Sequence, residues 1–342
     1  MARDHGFHET RITRVIQETR DTRTYVLDAP FRYQAGQFVT FRVGGTLRSY
    51  SMSSSPDTDT ELMTTVKRVP GGLVSNWLHD NLAAGDVVEV TAPAGVFCLR
   101  ESAAPLVAFA GGSGITPIIS LAKSALATTG RRVRILAANR DADSVIFRAA
   151  LDDLAERYAG RLEVRHHLDV VSGLVGKAEV LDFAGTDADA DFYLCGPAPF
   201  MELIERVLRA RGTAPGQIFL ERFTAEEQPV AAELPPAAGG SAEARTTAAD
   251  AGGTITIICG GKRATVARTP GITLLQSARR AGLSPPFSCE AGNCATCIGR
   301  VTAGEVKMRT NNALDDDEIA DGWTLTCQSD PVTADVTVVY ED

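Results

Sequence analysis

The sequence has no long apolar run. Its most apolar stretch, residues 106–122, is broken by Gly111, Gly112, Gly114 and Pro117, so no membrane span is expected. The opening residues Met1-Ala2-Arg3-Asp4-His5 lack the apolar core of a secretory signal, and a cytoplasmic location is expected. Positive charge is also in short supply: 34 Lys and Arg against 43 Asp and Glu leave a net charge of −9, which argues against a nucleic-acid surface and for a basic partner if the partner is charged. No internal repeat is visible. The 5 histidines offer no chelating pair, because His166 and His167 are adjacent on a strand and point to opposite faces. At 342 residues the chain exceeds one ordinary core, so two or three domains are expected.

Cysteine is present, and its spacing carries chemistry. Cys289, Cys294, Cys297 and Cys327 read C-x4-C-x2-C followed by a distant Cys, the plant-type [2Fe-2S] arrangement rather than the two separated C-x2-C knuckles of most four-cysteine zinc sites. Disulfides are disfavoured, because clustered thiols in a reducing compartment are metal ligands or catalytic groups. Gly292 inside the loop permits positive φ, which lets the chain wrap around a cluster and turn backbone N–H groups toward sulfur. Clusters of this type lie near about −400 mV and move one electron at a time. Cys98 and Cys259 sit in strand-like contexts and read as core residues.

Ahead of this loop the pattern changes twice. Alternating strands at 12–16, 24–27, 37–41 and 86–90, with a short helix at 75–82, give a small antiparallel barrel. From 105 to 223 strand and helix alternate: strands at 106–110, 133–138, 162–166, 191–195 and 218–220, helices running to 128 and at 145–158, 178–183 and 200–211. That alternation gives a parallel, doubly wound α/β sheet. Composition then falls to Pro, Ala, Gly, Glu and Thr over residues 225–252, a flexible linker of about 25 to 30 Å reach. A hairpin at 254–267, a helix at 274–280 and a last strand at 335–340 frame the cysteine loop. Expected domains are thus 1–103, 104–224 and 253–342. Asp315-Asp316-Asp317-Glu318, with Asp321, reads either as a solvated helix start or as an acidic docking rim.

Four further motifs lie at the places where these patterns meet ligands. Arg48-Ser49-Tyr50-Ser51 puts a cation and a ring on one strand face, beside a hydroxyl; its bland reading is a surface strand. Gly71-Gly72-Leu73-Val74-Ser75 precedes the barrel helix and suits a pyrophosphate, or is simply a turn and an N-cap. Gly111-Gly112-Ser113-Gly114-Ile115-Thr116-Pro117 leaves the first α/β strand and opens its helix, yet is not the G-x-G-x-x-G fingerprint. Cys195-Gly196-Pro197 ends a later strand of the same sheet, which would bring Cys195 beside Thr116 in a positioning role. Asn139-Arg140-Asp141 ends the second strand and offers a cation for a 2′-phosphate and a carboxylate for a free 2′-hydroxyl; NADH is favoured, with NADPH the other possibility.

In order and spacing these motifs resemble the ferredoxin-NADP reductase superfamily, with its R-x-Y-S, G-x-x-S, GGxGITP and CGP signatures, and in particular the reductase components of multicomponent oxygenases that end in a ferredoxin domain. The resemblance spans nearly the whole chain outside the linker. It implies a multidomain fold: an antiparallel flavin β-barrel, a doubly wound nicotinamide α/β domain and an α+β, β-grasp ferredoxin domain. It implies FAD held by Arg48, Tyr50, Ser51, Val66, Gly72, Val74 and Ser75, NAD(P)H across Gly112, Gly114, Thr116, Arg140, Cys195, Gly196 and Pro197, and Cys289, Cys294, Cys297 and Cys327 on the cluster. Ser51 and Cys195 would stand at the reacting atoms. The terminal aromatic that covers the flavin in the family is absent, and Phe223, in Glu221-Arg222-Phe223, is the candidate in its place. The implied partner is a terminal oxygenase, of Rieske type such as a ketosteroid hydroxylase, and the implied protein a monomer. The alternatives are service to a diiron phenylacetyl-CoA-type epoxygenase, or a redox carrier or sensor without a dedicated oxygenase.

Overall fold

In the computed structural model of the chain the described residues are 7–44, 46–187, 189–223, 253–283, 285, 287, 292, 295–311 and 313–340. The expected linker lies outside them. The chain divides into two compact units, Met1–Thr224 and Ala225–Asp342.

The first unit begins with strands β1 (Phe7–Thr19), β2 (Thr22–Asp28), β3 (Phe38–Val43), β4 (Thr46–Ser51) and β5 (Leu62–Lys67), then helix α1 (Leu73–Asn81) and β6 (Val87–Thr91). They form one antiparallel sheet in the order β4-β3-β6-β1-β2-β5. Its two edges are joined by a Met52–Thr64 bridge, with Ser53 N–H donating to Met63 O at 2.8 Å, so the sheet closes as a barrel. Ile12, Tyr25, Val39, Phe41, Val66, Val74 and Leu78 fill its interior.

The remainder of this unit alternates: β7 (Leu106–Gly111), α2 (Ile115–Thr128), β8 (Val133–Asn139), α3 (Arg148–Arg157), β9 (Leu162–Leu168), α4 (Asp169–Ser172), α5 (Lys177–Ala184), β10 (Asp191–Cys195), α6 (Ala198–Ala210) and β11 (Ile218–Glu221). All five strands are parallel in the order β11-β10-β7-β8-β9. The α2 and α3 side chains pack on one face, those of α5 and α6 on the other, which is the doubly wound arrangement. The order reverses between β7 and β10, and at such a reversal the loops after the two strands part and leave a ligand crevice. Helix α3 starts three residues later than expected, because Phe147 is left-handed (φ 61°) and 142–144 form a 3-10 turn capped by the Asp141 side chain.

The barrel meets α2 along a seam of hydroxyls. Ser120 Oγ donates to Ser54 O at 2.6 Å, Ser55 and Ser124 share a 2.7 Å hydrogen bond, and Lys123 pairs with Asp59 at 3.0 Å. At the amino ends of the strands Arg131, 2% exposed, pairs with Asp191 at 2.7 Å and donates to the Ala104 and Arg100 carbonyls, tying the segment after the barrel to the α/β sheet. No described helix is long and apolar enough to cross a membrane.

The second unit contains β12 (Thr254–Cys259), β13 (Lys262–Ala267), α7 (Leu274–Arg280), β14 (Ile298–Ala303), β15 (Val306–Met308), α8 (Asp316–Ala320), β16 (Trp323–Leu325), β17 (Ser329–Pro331) and β18 (Val336–Val339). The main sheet runs β13-β12-β18-β14-β16, with β12 and β18 parallel and the other pairs antiparallel. Helix α7, capped by Thr273 on Gln276 N–H, packs Leu274 and Ala278 onto this sheet, the plan of a β-grasp. The acidic run starts α8: Asp315 caps Glu318 N–H at 2.8 Å, and the Glu318 carboxylate accepts in return from Asp315 N–H at 2.9 Å.

Candidate functional site

On the barrel, β4 carries Arg48 and Tyr50 on one face and Ser51 on the other, buried. Tyr50 meets Phe41 edge-on with centroids 5.6 Å apart, which fixes the plane of its ring. Arg48 Nη1 donates to Leu47 O at 2.7 Å, and Ser51 O accepts from Thr64 Oγ1 at 3.0 Å. Helix α1 approaches this strand. The helix starts earlier than the sequence implies: Gly72, extended, is the N-cap, without a side-chain cap bond, and Ser75 lies in the first turn. Ser75 Oγ accepts from Val69 N–H at 3.2 Å. An uncapped helix start beside an Arg and a ring has the donor set for a pyrophosphate next to an aromatic plane. Val66 and Val74 are 0% exposed within the barrel core.

At the α/β crevice the two loops touch backbone to backbone. A Cβ on Gly114 would stand 2.1 Å from the Cys195 carbonyl oxygen, one on Gly111 2.8 Å from Pro197 Cδ, and one on Gly196 2.9 Å from Gly111 N. Gly114, two residues before Thr116, is the loop residue whose backbone meets Cys195. Thr116 is buried and its Oγ1 donates to Ser113 O at 2.9 Å. Gly112 is left-handed (φ +53°) and open, and the nearest atom to its missing side chain is Lys67 Nζ at 3.9 Å. Lys67, at the end of β5, is a cation that the sequence reading missed; it also lies 3.9 Å from Asp21. Cys195 has no exposed surface, and burial, with the Glu221 carboxylate adding to it, pushes its thiol well up from the ordinary cysteine value. The thiol is neutral and unfit as a nucleophile.

Arg140 and Asp141 do not offer themselves separately. Arg140 Nε donates to Asp141 at 2.9 Å, and the same carboxylate accepts from Ser144 N–H at 2.9 Å, so Arg140 and then Ser144 hold Asp141 below the usual carboxylate range. Phe223 follows β11, whose Glu221 stands in register with Cys195, and is 39% exposed. A groove of about 640 Å³ on another flank of the barrel, bordered by Val26, Phe31, Tyr33 and Asp59, includes none of the residues singled out in the sequence.

In the second unit Cys289 and Cys294 lie outside the described residues; Cys297 and Cys327 are buried together with Leu275, Leu314, Trp323 and Leu325. Thr326 joins them. Its N–H and its Oγ1 both donate to Cys297 O, at 3.1 and 2.7 Å, while Tyr340 OH donates to Thr326 Oγ1 at 2.9 Å. Burial pushes the Tyr340 phenol far up, which keeps it a donor. Gly292 is left-handed (φ +78°), and a Cβ there would stand 2.6 Å from Thr310 O. Ala295 also takes positive φ (53°), costly for a residue with a Cβ. Two buried cysteines in an apolar wall, a loop turned back twice and a buried hydroxyl left without a partner at Thr296 fit an iron-sulfur cluster.

Barrel, crevice and β-grasp together are the parts of a flavin- and dinucleotide-dependent reductase joined to a ferredoxin. Comparison with known families bears this out: residues 9–98 match the oxidoreductase FAD-binding domain, 109–206 the oxidoreductase NAD-binding domain and 257–332 the 2Fe-2S iron-sulfur cluster binding domain. The chain is 38% identical to the ferredoxin reductase component of 3-ketosteroid-9-alpha-monooxygenase from Mycolicibacterium smegmatis, across 98% of this chain and 97% of that one. It is 34% identical to the glycine betaine monooxygenase reductase subunit of Pseudomonas aeruginosa, across 98% and 96%. Phthalate dioxygenase reductase shares the fold, with a TM-score of 0.61 at 24% identity over 98% of both chains. The chain belongs to the ferredoxin-NADP reductase superfamily, among the oxygenase reductase components that carry a C-terminal 2Fe-2S domain.

Proposed function

We propose that the protein takes hydride from NADH and delivers single electrons to a terminal oxygenase of Rieske type, with the segments 1–103, 104–224, 225–252 and 253–342 serving as FAD domain, nicotinamide domain, linker and ferredoxin domain. When bound, FAD supplies two-electron acceptance and the [2Fe-2S] cluster one-electron transfer; the protein supplies orientation and electrostatics. The observation that carries the reading is the close packing of the Gly111–Gly114 loop on Cys195–Pro197 at the sheet reversal, which leaves Gly112, left-handed and open, at the crevice.

Arg48 holds a flavin phosphate, and the Tyr50 ring, fixed by Phe41, lies against the isoalloxazine. Ser51 presents its hydroxyl to the reactive nitrogen. The α1 amides around Gly72, Val74 and Ser75 bind the pyrophosphate, which is why FAD rather than FMN is expected. Gly112, Gly114, Thr116, Gly196 and Pro197 seat the nicotinamide half, with Cys195 a neutral wall of that seat and Lys67 a counter-charge for the dinucleotide's phosphates. Phe223 would cover the flavin ring. Cys289, Cys294, Cys297 and Cys327 hold the cluster. The oxygenase assignment draws on the relatives at 38% and 34% identity, which serve monooxygenases, and the epoxygenase and carrier alternatives have less support.

The experiment is analysis of the purified protein for flavin identity, iron and NADH-dependent ferricyanide reduction, followed by reconstitution with a candidate oxygenase. One FAD and about two irons per chain, with turnover in both assays, are expected. Released FMN, or four irons, would overturn the cofactor assignment; ferricyanide activity without support of any oxygenase would return the reading to a carrier.

A further inference from the structure

The two threonines beside the buried cysteines of the second unit are in opposite situations. Thr326, just before Cys327, is fully satisfied: its hydroxyl gives its one proton to Cys297 O and accepts from Tyr340. Thr296, just before Cys297, is 1% exposed, and its Oγ1 is closed off from water with no hydrogen-bond partner among the described residues. Leaving a buried hydroxyl unpaired is unfavourable, and a valine would fill the same volume without that cost. An orphaned buried donor beside Cys297 therefore points to an acceptor that the described residues do not supply, such as a group bound at the site. In the sequence Thr296 falls between Cys294 and Cys297, and the left-handed turn at Ala295 sets its direction immediately before a ligand.

We propose that Thr296 Oγ1 donates its proton in a hydrogen bond to a sulfur of the [2Fe-2S] cluster. The inference rests on the assignment of Cys289, Cys294, Cys297 and Cys327 as the ligands. A hydrogen bond to sulfur strengthens as negative charge accumulates there, so it favours the reduced cluster over the oxidised one and raises the potential. Thr296 is thus a tuning residue that makes the cluster an easier acceptor for electrons leaving the flavin. Backbone N–H donors are available to any residue type in this loop, whereas this donor depends on the side chain, so that substitution can remove it without altering the ligand set.

The test compares Thr296→Val, which keeps the shape and removes the hydroxyl, with Thr296→Ser, which keeps the hydroxyl and removes the methyl. Each is read by iron content and by an EPR-monitored redox titration of the full chain. With two irons retained, Thr296→Val should lower the reduced-to-oxidised ratio at a fixed potential about tenfold, a shift of about 59 mV downward for one electron, and Thr296→Ser should stay with the wild type. An unchanged potential in an iron-replete Thr296→Val protein overturns the proposal, and so does a Thr296→Ser protein that shifts as far as the Val variant. If Thr296→Val fails to hold iron, Thr296→Ala joins the series. Iron lost from Val and Ala but kept in Ser supports a need for the hydroxyl, and iron lost from all three overturns it. A wild-type protein without two irons would instead sink the ligand assignment, and the proposal with it.

Discussion

Cys195 ends β10 between β7 and β11 at the mouth of the crevice, with its side chain buried in the core on the α2 face, and burial and the Glu221 carboxylate both oppose a thiolate. The native protein should therefore leave Cys195 unmodified by iodoacetamide at about pH 8, with labelling only after unfolding, as read by peptide mass spectrometry. Gly114 is the more sensitive neighbour. A methyl placed 2.1 Å from the Cys195 carbonyl must push the two loops apart, so Gly114→Ala should lose about 1 to 3 kcal/mol of stability and most NADH oxidation, while FAD stays bound to the barrel. At the adenosine end, Asp141 already serves as counter-ion to Arg140 and would compete with a 2′-phosphate, so kcat/KM should favour NADH. A tenfold advantage for NADPH would mean that the pair opens. The glycines were legible in the sequence because each stands where only a bare backbone fits. Lys67 and Thr296 were not, since the significance of one depends on the register of a strand and that of the other on a missing partner.

Strand β5 shows why some elements escaped a reading by hydrophobic alternation. Its centre is Thr64-Thr65, polar in sequence yet buried, because Thr64 Oγ1 donates to Ser51 O and Thr65 shares hydrogen bonds with Thr24 and Ser53. Threonine is β-branched and suits a strand once its hydroxyl is paired. The strands β15, β16 and β17 escaped for another reason: three residues each are too few to show a period. The acidic run was legible as a helix start, and Asp315 and Glu318 are committed to capping it, so neutralising them would confound any docking experiment with a loss of structure. Arg131 was invisible in sequence as a buried cation. Because Asp191 is its partner and both are sealed from water, Asp191→Asn should destabilise the first unit by about 3 to 5 kcal/mol. Chemical denaturation followed by flavin fluorescence is the measurement, and a loss under 1 kcal/mol would show the pair to be dispensable.

The division of the chain at Thr224 assigns the flavin and nicotinamide residues to one unit and the four cysteines to the other. Cys294→Ser should accordingly abolish the cluster's absorbance and EPR signal, stop electron delivery to an oxygenase, and leave FAD content and ferricyanide reduction within about twofold of the wild type. Loss of both activities together would show that the units depend on each other. The three-domain plan was readable because periodicity switches from 2 to strand-and-helix alternation and then breaks in a Pro-Ala-Gly stretch. The clamp that Thr326 places on Cys297 belongs to this scale as well. It ties Cys297 to the neighbour of Cys327, thirty residues on in the chain, through hydrogen bonds made by protein groups alone. If these cysteines are the ligands proposed above, a newly made chain can bring half of the set together as the β-grasp folds, before any iron is delivered. Cluster insertion then completes a site already begun, and the entropy of gathering distant ligands falls on the folding of the domain instead of on the capture of the metal.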